Sequence, residues 1–239
     1  MFNPQPQPAS GSLRVLAALL SYPDARLRAF LPQMREVVDD ERALSPARRA
    51  ELDALLDQFG GDDALESEAG YVELFDRGRA TSLHLFEHVH GDSRERGPAM
   101  VDLARTYEQA GLYLAPGELP DYLPVVLEFA STLPAGQARA FLGEIAHLLN
   151  ALYSALQRRE SPYAGALGAL LELAGEPAQP VALEEEPALD ESWTEPPVFD
   201  GCSSQGQARP GQPQPGQPQP GQPKPIRIVR KSPKPGALA

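Results

Sequence analysis

Cysteine is almost missing from this sequence: its 239 residues include one, Cys202. That excludes an internal disulfide framework, and one thiolate holds neither an iron–sulfur cluster nor a four-thiolate zinc site. Long apolar runs are lacking too, and none approaches the ~18 residues that a membrane span requires. The opening MFNPQPQPASGS has no basic region followed by an apolar one, so no export signal is expected. Strand signals are absent apart from Ile226–Val229, which sits among prolines. There is no Gly-x-Gly-x-x-Gly string and no phosphate loop. The expectation is a soluble, cytoplasmic protein with no cofactor, no nucleic-acid partner and no stable membrane insertion.

Lysine is also scarce, and its placement divides the chain. All three lysines lie at positions 224, 231 and 234, in a stretch (209–239) with six bases and no acid. Residues 176–208 hold eight acids and no base, and residues 1–175 hold 25 acids and 15 bases. Fourteen of the 26 prolines fall beyond residue 175, where apolar residues are too sparse to offset the entropy of ordering. The expected organisation is a flexible 1–10, a helical domain over 11–175, an acidic disordered segment over 176–208 and a basic Pro/Gln/Gly-rich disordered tail over 209–239. GQPQP recurs in that tail at 211–215 and 216–220, then as GQPKP at 221–225, and reads as an extended spacer.

The first 175 residues carry helical periodicity throughout. Leu27, Phe30, Leu31, Met34, Val37 and Val38 predict one amphipathic helix over 24–38. Ser45-Pro46 starts another, with Leu52, Leu55, Leu56 and Phe59 as its stripe and Gly60-Gly61 as its stop. Met100, Leu103, Ala104 and Tyr107 mark a helix ended by Gly111. The longest stripe, from Phe141 and Leu142 through Ile145, Leu148, Leu149 and Leu152 to Leu156, predicts one helix over 137–158. Residues 13–20, 62–75, 82–90, 121–132 and 162–174 complete the set. The fold class is therefore all-α, one multi-helix domain of about eight helices, with antiparallel packing of neighbours across short connections.

Candidate chemistry is thin. His84 and His88 are four residues apart with His90 next, a spacing that can offer two imidazoles to a metal, but a third ligand and the His-Glu-x-x-His pattern are absent. Leu85, Phe86 and Val89 are expected to take the buried side of that helix, leaving His84 and His88 towards water as solvated or capping groups. His147 lies off its helix stripe and is expected at the surface. Cys202 lies in the tail, which supplies no fixed electropositive setting for a reactive thiol. Glu118 and Asp121 flank Leu119-Pro120 before a helix, and they have two readings. Asp121 caps that helix, or the two carboxylates together receive arginines of a basic peptide. The loop Gly91-Asp92-Ser93-Arg94-Glu95-Arg96-Gly97-Pro98 is a polar turn with a proline starting the next helix; two arginines fall short of the about five to eight bases of a nucleic-acid patch.

The run YVELFDRGRATSLHLFEHVHGDSRERGPAMVDLARTYEQAGL, followed by ELPDYLPVVLEF, resembles the NarJ family of nitrate reductase assembly chaperones. That family sits within the wider superfamily that includes TorD and DmsD. LLSYPD near the start and LDESWTEPPVF at 189–199 extend the resemblance over residues 13 to about 200. It implies an all-helical, non-catalytic chaperone in the cytoplasm, with no metal and no cofactor of its own. The implied partner is the apo nitrate reductase alpha subunit, bound by its N-terminal segment and held competent for molybdenum cofactor and iron–sulfur insertion. Molybdenum cofactor delivery proteins are implied as further partners. Carried onto this chain, the superfamily's peptide-binding strings fall on Tyr71, Leu74 and Phe75, and on Glu118, Leu119, Pro120, Asp121 and Tyr122. Tyr122 stands where many relatives have histidine. The polar family loop is Gly91, Asp92, Arg94, Arg96 and Gly97. The alternatives are an adaptor joining two macromolecules through globule and tail, and an enzyme built on the His84/His88 face.

Overall fold

The structure, a computed structural model, describes residues 9–61, 63–91 and 93–181. The expected tail features (Cys202, the GQPQP repeats and the 189–199 string) lie outside the described residues, as do Asp62 and Asp92. Among the described residues the fold is all-helical, with no strand and one isolated antiparallel bridge. The helices are α1 (Ser10–Leu19), α2 (Ala25–Ala29), α3 (Leu31–Glu41), α4 (Pro46–Gly61), α5 (Ala64–Tyr71), α6 (Leu85–His90), α7 (Arg96–Gln109), α8 (Leu123–Thr132), α9 (Ala135–Glu144), α10 (Ala146–Arg158) and α11 (Tyr163–Ala174). A π-turn over Val72–Asp76 extends α5, and a 3₁₀ turn follows at Arg79–Thr81.

Helix α11 is apolar nearly all round, and such a helix belongs in the middle of a core. Ala166, Leu167, Ala169, Leu170 and Leu171 are all fully buried there. It packs along α10, α4 and α9, while α1 lies against α8 and α3. The approach of α11 to α4 is close enough that a Cβ added to Gly165 would sit 3.0 Å from the Glu51 side chain. Each fully buried leucine contributes about 1.5–3 kcal/mol relative to an exposed one. The stripe Leu52, Leu55, Leu56 and Phe59 is buried as its spacing requires. Ser45 caps α4 as expected, its hydroxyl accepting from Arg48 N. His147 is exposed, also as expected.

Two expected helices are each two. The 24–38 stripe breaks at Phe30, because the ring of Pro32 would meet the carbonyl of residue 28 in a continuous helix. Phe30 is thereby left 49% exposed instead of joining the stripe. The 137–158 stripe breaks at Ile145 (φ −99°, ψ 5°), whose carbonyl accepts from both Leu148 N and Leu149 N to begin α10. Packing explains that break. Segment α9 lies across α8 and α11 while α10 runs along α11 and the 79–81 turn, and one straight helix follows only one of these paths.

Several starts are satisfied by carboxylates distant in sequence. Glu41 accepts from Gly11 N (3.0 Å) and Ser12 N (2.6 Å) at the head of α1. Glu172 accepts from Ser45 N (2.5 Å) and Ser45 Oγ (2.9 Å) at the head of α4. These groups supply partners for amides that a helix leaves orphaned. Beyond α11, Gly175 closes the helix with a left-handed φ of 78°. The chain at 176–181, expected within the disordered acidic segment, instead runs along α10. Asn150 Oδ1 accepts from Gln179 N at 2.8 Å, and Ser154 Oγ accepts from Val181 N at 2.9 Å. Neither contact shows in an apolar pattern, which is why composition alone mistook this stretch.

Candidate functional site: an aromatic cleft with an acidic rim

Two sequence-distant strings meet through main-chain pairing. Leu85 N donates to Asp121 O (3.0 Å) and Leu123 N donates to Leu83 O (2.9 Å), bringing His84 opposite Tyr122. The π-turn brings the third side. It closes with Arg77 N donating to Val72 O at 3.2 Å, and Tyr71 and Phe75 both turn inward at 4% exposure. Wide turns of this kind are frequent at functional sites. The Tyr71 hydroxyl donates to Leu20 O (2.9 Å) and shares a 2.8 Å hydrogen bond with the Tyr122 hydroxyl. Burial, reinforced by the facing Tyr122, pushes the Tyr71 phenol well above its ordinary value of 10.0. Burial also raises Tyr122, so both rings remain neutral donors.

Between these strings lies a cleft of about 420 Å³. Tyr71, Phe75 and Tyr122 form its aromatic interior, and Glu118 and Leu119 form a rim on the opposite loop. Glu118 is exposed and Leu119 is 43% exposed. The Glu118 carboxylate accepts from Ala115 N at 3.0 Å, which ties the loop together. The aromatic interior continues into the core, with Phe75 packed edge-on against Tyr163 at 4.8 Å. Of the sequence-derived peptide residues, Tyr71, Phe75, Glu118, Leu119 and Tyr122 line the cleft. Leu74 packs half-buried on the core, and Pro120 is buried with its carbonyl accepting from the Tyr107 hydroxyl at 2.9 Å.

Asp121 does not cap the helix that follows it. It is completely buried, and α8 has Tyr122 at its N-cap with no side-chain cap. Its Oδ2 accepts instead from Phe86 N (3.1 Å) at the head of α6 and lies 3.8 Å from Arg96 Nη2. Its Oδ1 faces His84 Nδ1 at 3.5 Å, and neither atom has another partner. That carboxylate favours the imidazolium and raises His84 above its ordinary 6.5, against burial that lowers it. The expectation that His84 and His88 face water is thus overturned. His84 is half-buried against the Tyr122 ring at 5.3 Å, and His88 Nε2 pairs with Ser82 O at 2.8 Å. Val89, expected on the buried side of α6, is 51% exposed. Leu85 is buried at 3% as expected and Phe86 is half-buried, so spacing misplaced Val89 and His84, the residue before a six-residue helix, which obeys no helical period.

The polar loop joins the same site at one point. Arg96 spans Glu87 Oε1 (3.4 Å) and Asp121 Oδ2, tying the loop to the 118–122 string. Gly91 ends α6 with φ 50°, and Arg94 and Gly97 are exposed away from the cleft lining. Sequence reasoning missed Tyr22, Leu83 and His84 as cleft residues. Tyr22 is the findable one, an aromatic in the Ser-Tyr-Pro turn whose ring meets Tyr71 edge-on at 5.7 Å. Among the described residues no cluster of three or more His, Cys, Asp or Glu could hold a metal ion, and no helix is long and apolar enough to cross a membrane.

An all-helical domain whose cleft joins these two strings falls into a known class of proteins. The family described as nitrate reductase delta subunit matches residues 41–169. The nitrate reductase molybdenum cofactor assembly chaperone NarJ of Escherichia coli (strain K12) is 44% identical over 196 residues, covering 78% of this chain and 83% of that protein. The "Probable nitrate reductase molybdenum cofactor assembly chaperone NarW" of the same strain is 44% identical over 163 residues, covering 68% of each chain. A similarly described NarJ of Bacillus subtilis (strain 168) is 35% identical, covering 65% of this chain and 84% of its own. The chain belongs to the NarJ family of nitrate reductase molybdenum cofactor assembly chaperones.

Proposed function

We propose that this chaperone binds the N-terminal segment of the apo nitrate reductase alpha subunit on the cytoplasmic side. It holds that subunit competent for molybdenum cofactor and iron–sulfur insertion before the complex assembles, working beside the proteins that deliver the molybdenum cofactor. The observation that carries the reading is the cleft itself, which sets a buried aromatic interior beside an exposed leucine and the Glu118 carboxylate. An amphipathic basic helix suits such a surface, with apolar anchors in the groove and arginine or lysine on the rim. The chain's net charge of −12 favours encounter with a basic segment, most strongly at low salt.

Isothermal calorimetry of the full chain with a synthetic peptide of the client's N-terminal residues tests this. Binding of one peptide per chain, weakened by salt, is expected. Leu119→Ala should weaken it roughly tenfold, since an apolar interface anchor is worth more than about 1 kcal/mol, while the melting temperature stays put. No binding at low salt by folded protein overturns the proposal.

A further inference from the structure

A second cleft of about 360 Å³ lies on the 112–119 loop, and Glu118 borders both clefts. Its floor is apolar, formed by the buried rings of Tyr107 and Phe129, 4.8 Å apart. Val125 adds an aliphatic wall. Tyr113 lines it while 80% exposed, more than any other large apolar side chain among the described residues. Glu128 gives the cleft a second exposed carboxylate, and the Arg14 guanidinium there donates to Ser131 Oγ at 3.3 Å. Gly111 and Gly117, with φ of 80° and 92°, set the two bends of the loop that carries Tyr113.

We infer that this second cleft receives the next stretch of the same client segment, as an apolar side chain flanked by arginine or lysine; the inference rests on the client reading above. Continuity argues for one occupant, since a chain leaving the first cleft over Glu118 enters the second. Charge argues for its chemistry, because the exposed carboxylates of Glu118 and Glu128 border the cleft, while Arg14, the cation in its lining, donates to Ser131 Oγ. An amphipathic helix presents anchors one or two turns apart, ~5–11 Å, so a single segment can fill neighbouring clefts.

The test uses the full chain and the same synthetic client peptide. Tyr113→Ala and Val125→Ser should each weaken binding roughly tenfold, as interface anchors do. A peptide shortened from its C-terminal end should lose that sensitivity yet still respond to Leu119→Ala. Because Tyr113 is exposed, Tyr113→Ala leaves the melting temperature unchanged. A photoreactive benzoylphenylalanine at position 113 should label the far half of the peptide. If the peptide binds and Leu119→Ala weakens it, but position 113 neither affects affinity nor labels it, the inference falls and the client reading stands. If the peptide does not bind at all, both fall. Labelling of a second copy of the chain in place of the peptide overturns the inference in favour of self-association.

Discussion

Asp121→Ala removes the group on which three elements of the site converge. The carboxylate is fully buried, accepts from Phe86 N at 3.1 Å, and faces Arg96 and His84 at 3.8 and 3.5 Å. A hydrogen bond to a charged acceptor contributes about 1.5–3 kcal/mol, and an acid at a helix head adds about 0.3–1 kcal/mol. Against this, Oδ1 is buried without a hydrogen bond, and its removal returns about 1 kcal/mol. The net loss is about 1–3 kcal/mol, or about 2–12 °C in melting temperature at the ~2–4 °C per kcal/mol of a domain this size. The assay is thermal unfolding by circular dichroism, paired with peptide affinity per folded molecule. Glu118→Ala is the internal contrast, because its carboxylate is exposed and has one backbone partner, Ala115 N. It should cost under about 1 kcal/mol of stability and act on the peptide instead. A melting shift under about 2 °C for Asp121→Ala would refute the ledger. It would mean that the buried carboxylate is no better served in the fold than in water.

Three further outcomes follow from the same contacts. Tyr71→Phe removes the donor to Leu20 O and half of the Tyr122 pair; chemical denaturation should show a loss of about 1–2 kcal/mol with the aromatic packing retained. Gly78→Ala would push a Cβ to 2.7 Å from Leu74 O and into the Thr81 hydroxyl, so a loss of about 1–3 kcal/mol is expected in the same assay. His84 has a folded pKa raised above 6.5 by Asp121. Its stabilising contribution is therefore complete below 6.5 and is lost as pH rises through the folded value. Urea midpoints for the wild type should fall over that window relative to His84→Gln, and an NMR titration of the imidazole should place its midpoint above 6.5.

Much of the fold was legible because buried helices announce themselves by spacing. The α4 stripe and the glycine that ends α7 needed nothing beyond their own sequence. The breaks at Phe30 and Ile145 were not equally legible. Pro32 is a local signal that a continuous apolar stripe masks, whereas Ile145 has no local signal and yields to the packing of α9 and α10 on different neighbours. The site divides in the same way. Tyr71 and Phe75 entered through the family resemblance, and the turn over 72–76 sets both into one cleft. Glu118 and Asp121 read as a pair because they are three apart, yet one is exposed and the other has no exposed surface. The turn at Pro120 separates them, and spacing alone carries no information about it.

Long-range carboxylates explain why the cleft holds its shape although it is assembled from strings about fifty residues apart. Asp121 satisfies the head of α6 from outside that helix, as Glu41 does for α1 and Glu172 for α4. Such a contact fixes two elements at once, since neither the amide nor the carboxylate is satisfied if they separate. At the cleft, this contact adds to the paired main chain of 83–85 and 121–123 and to the Tyr71–Tyr122 hydroxyl bond. The Thr81 hydroxyl, donating to Leu74 O, holds the π-turn to the same connection. The aromatic interior is therefore set before any partner arrives, and a bound segment pays ordering entropy for itself alone. Among the described residues, the 112–119 loop, bent at two left-handed glycines and carrying the exposed Leu119 and Tyr113, is the part of the cleft left to adapt. Binding specificity is accordingly expected to reside on that loop, and the fixed side of the cleft supplies affinity common to any apolar anchor.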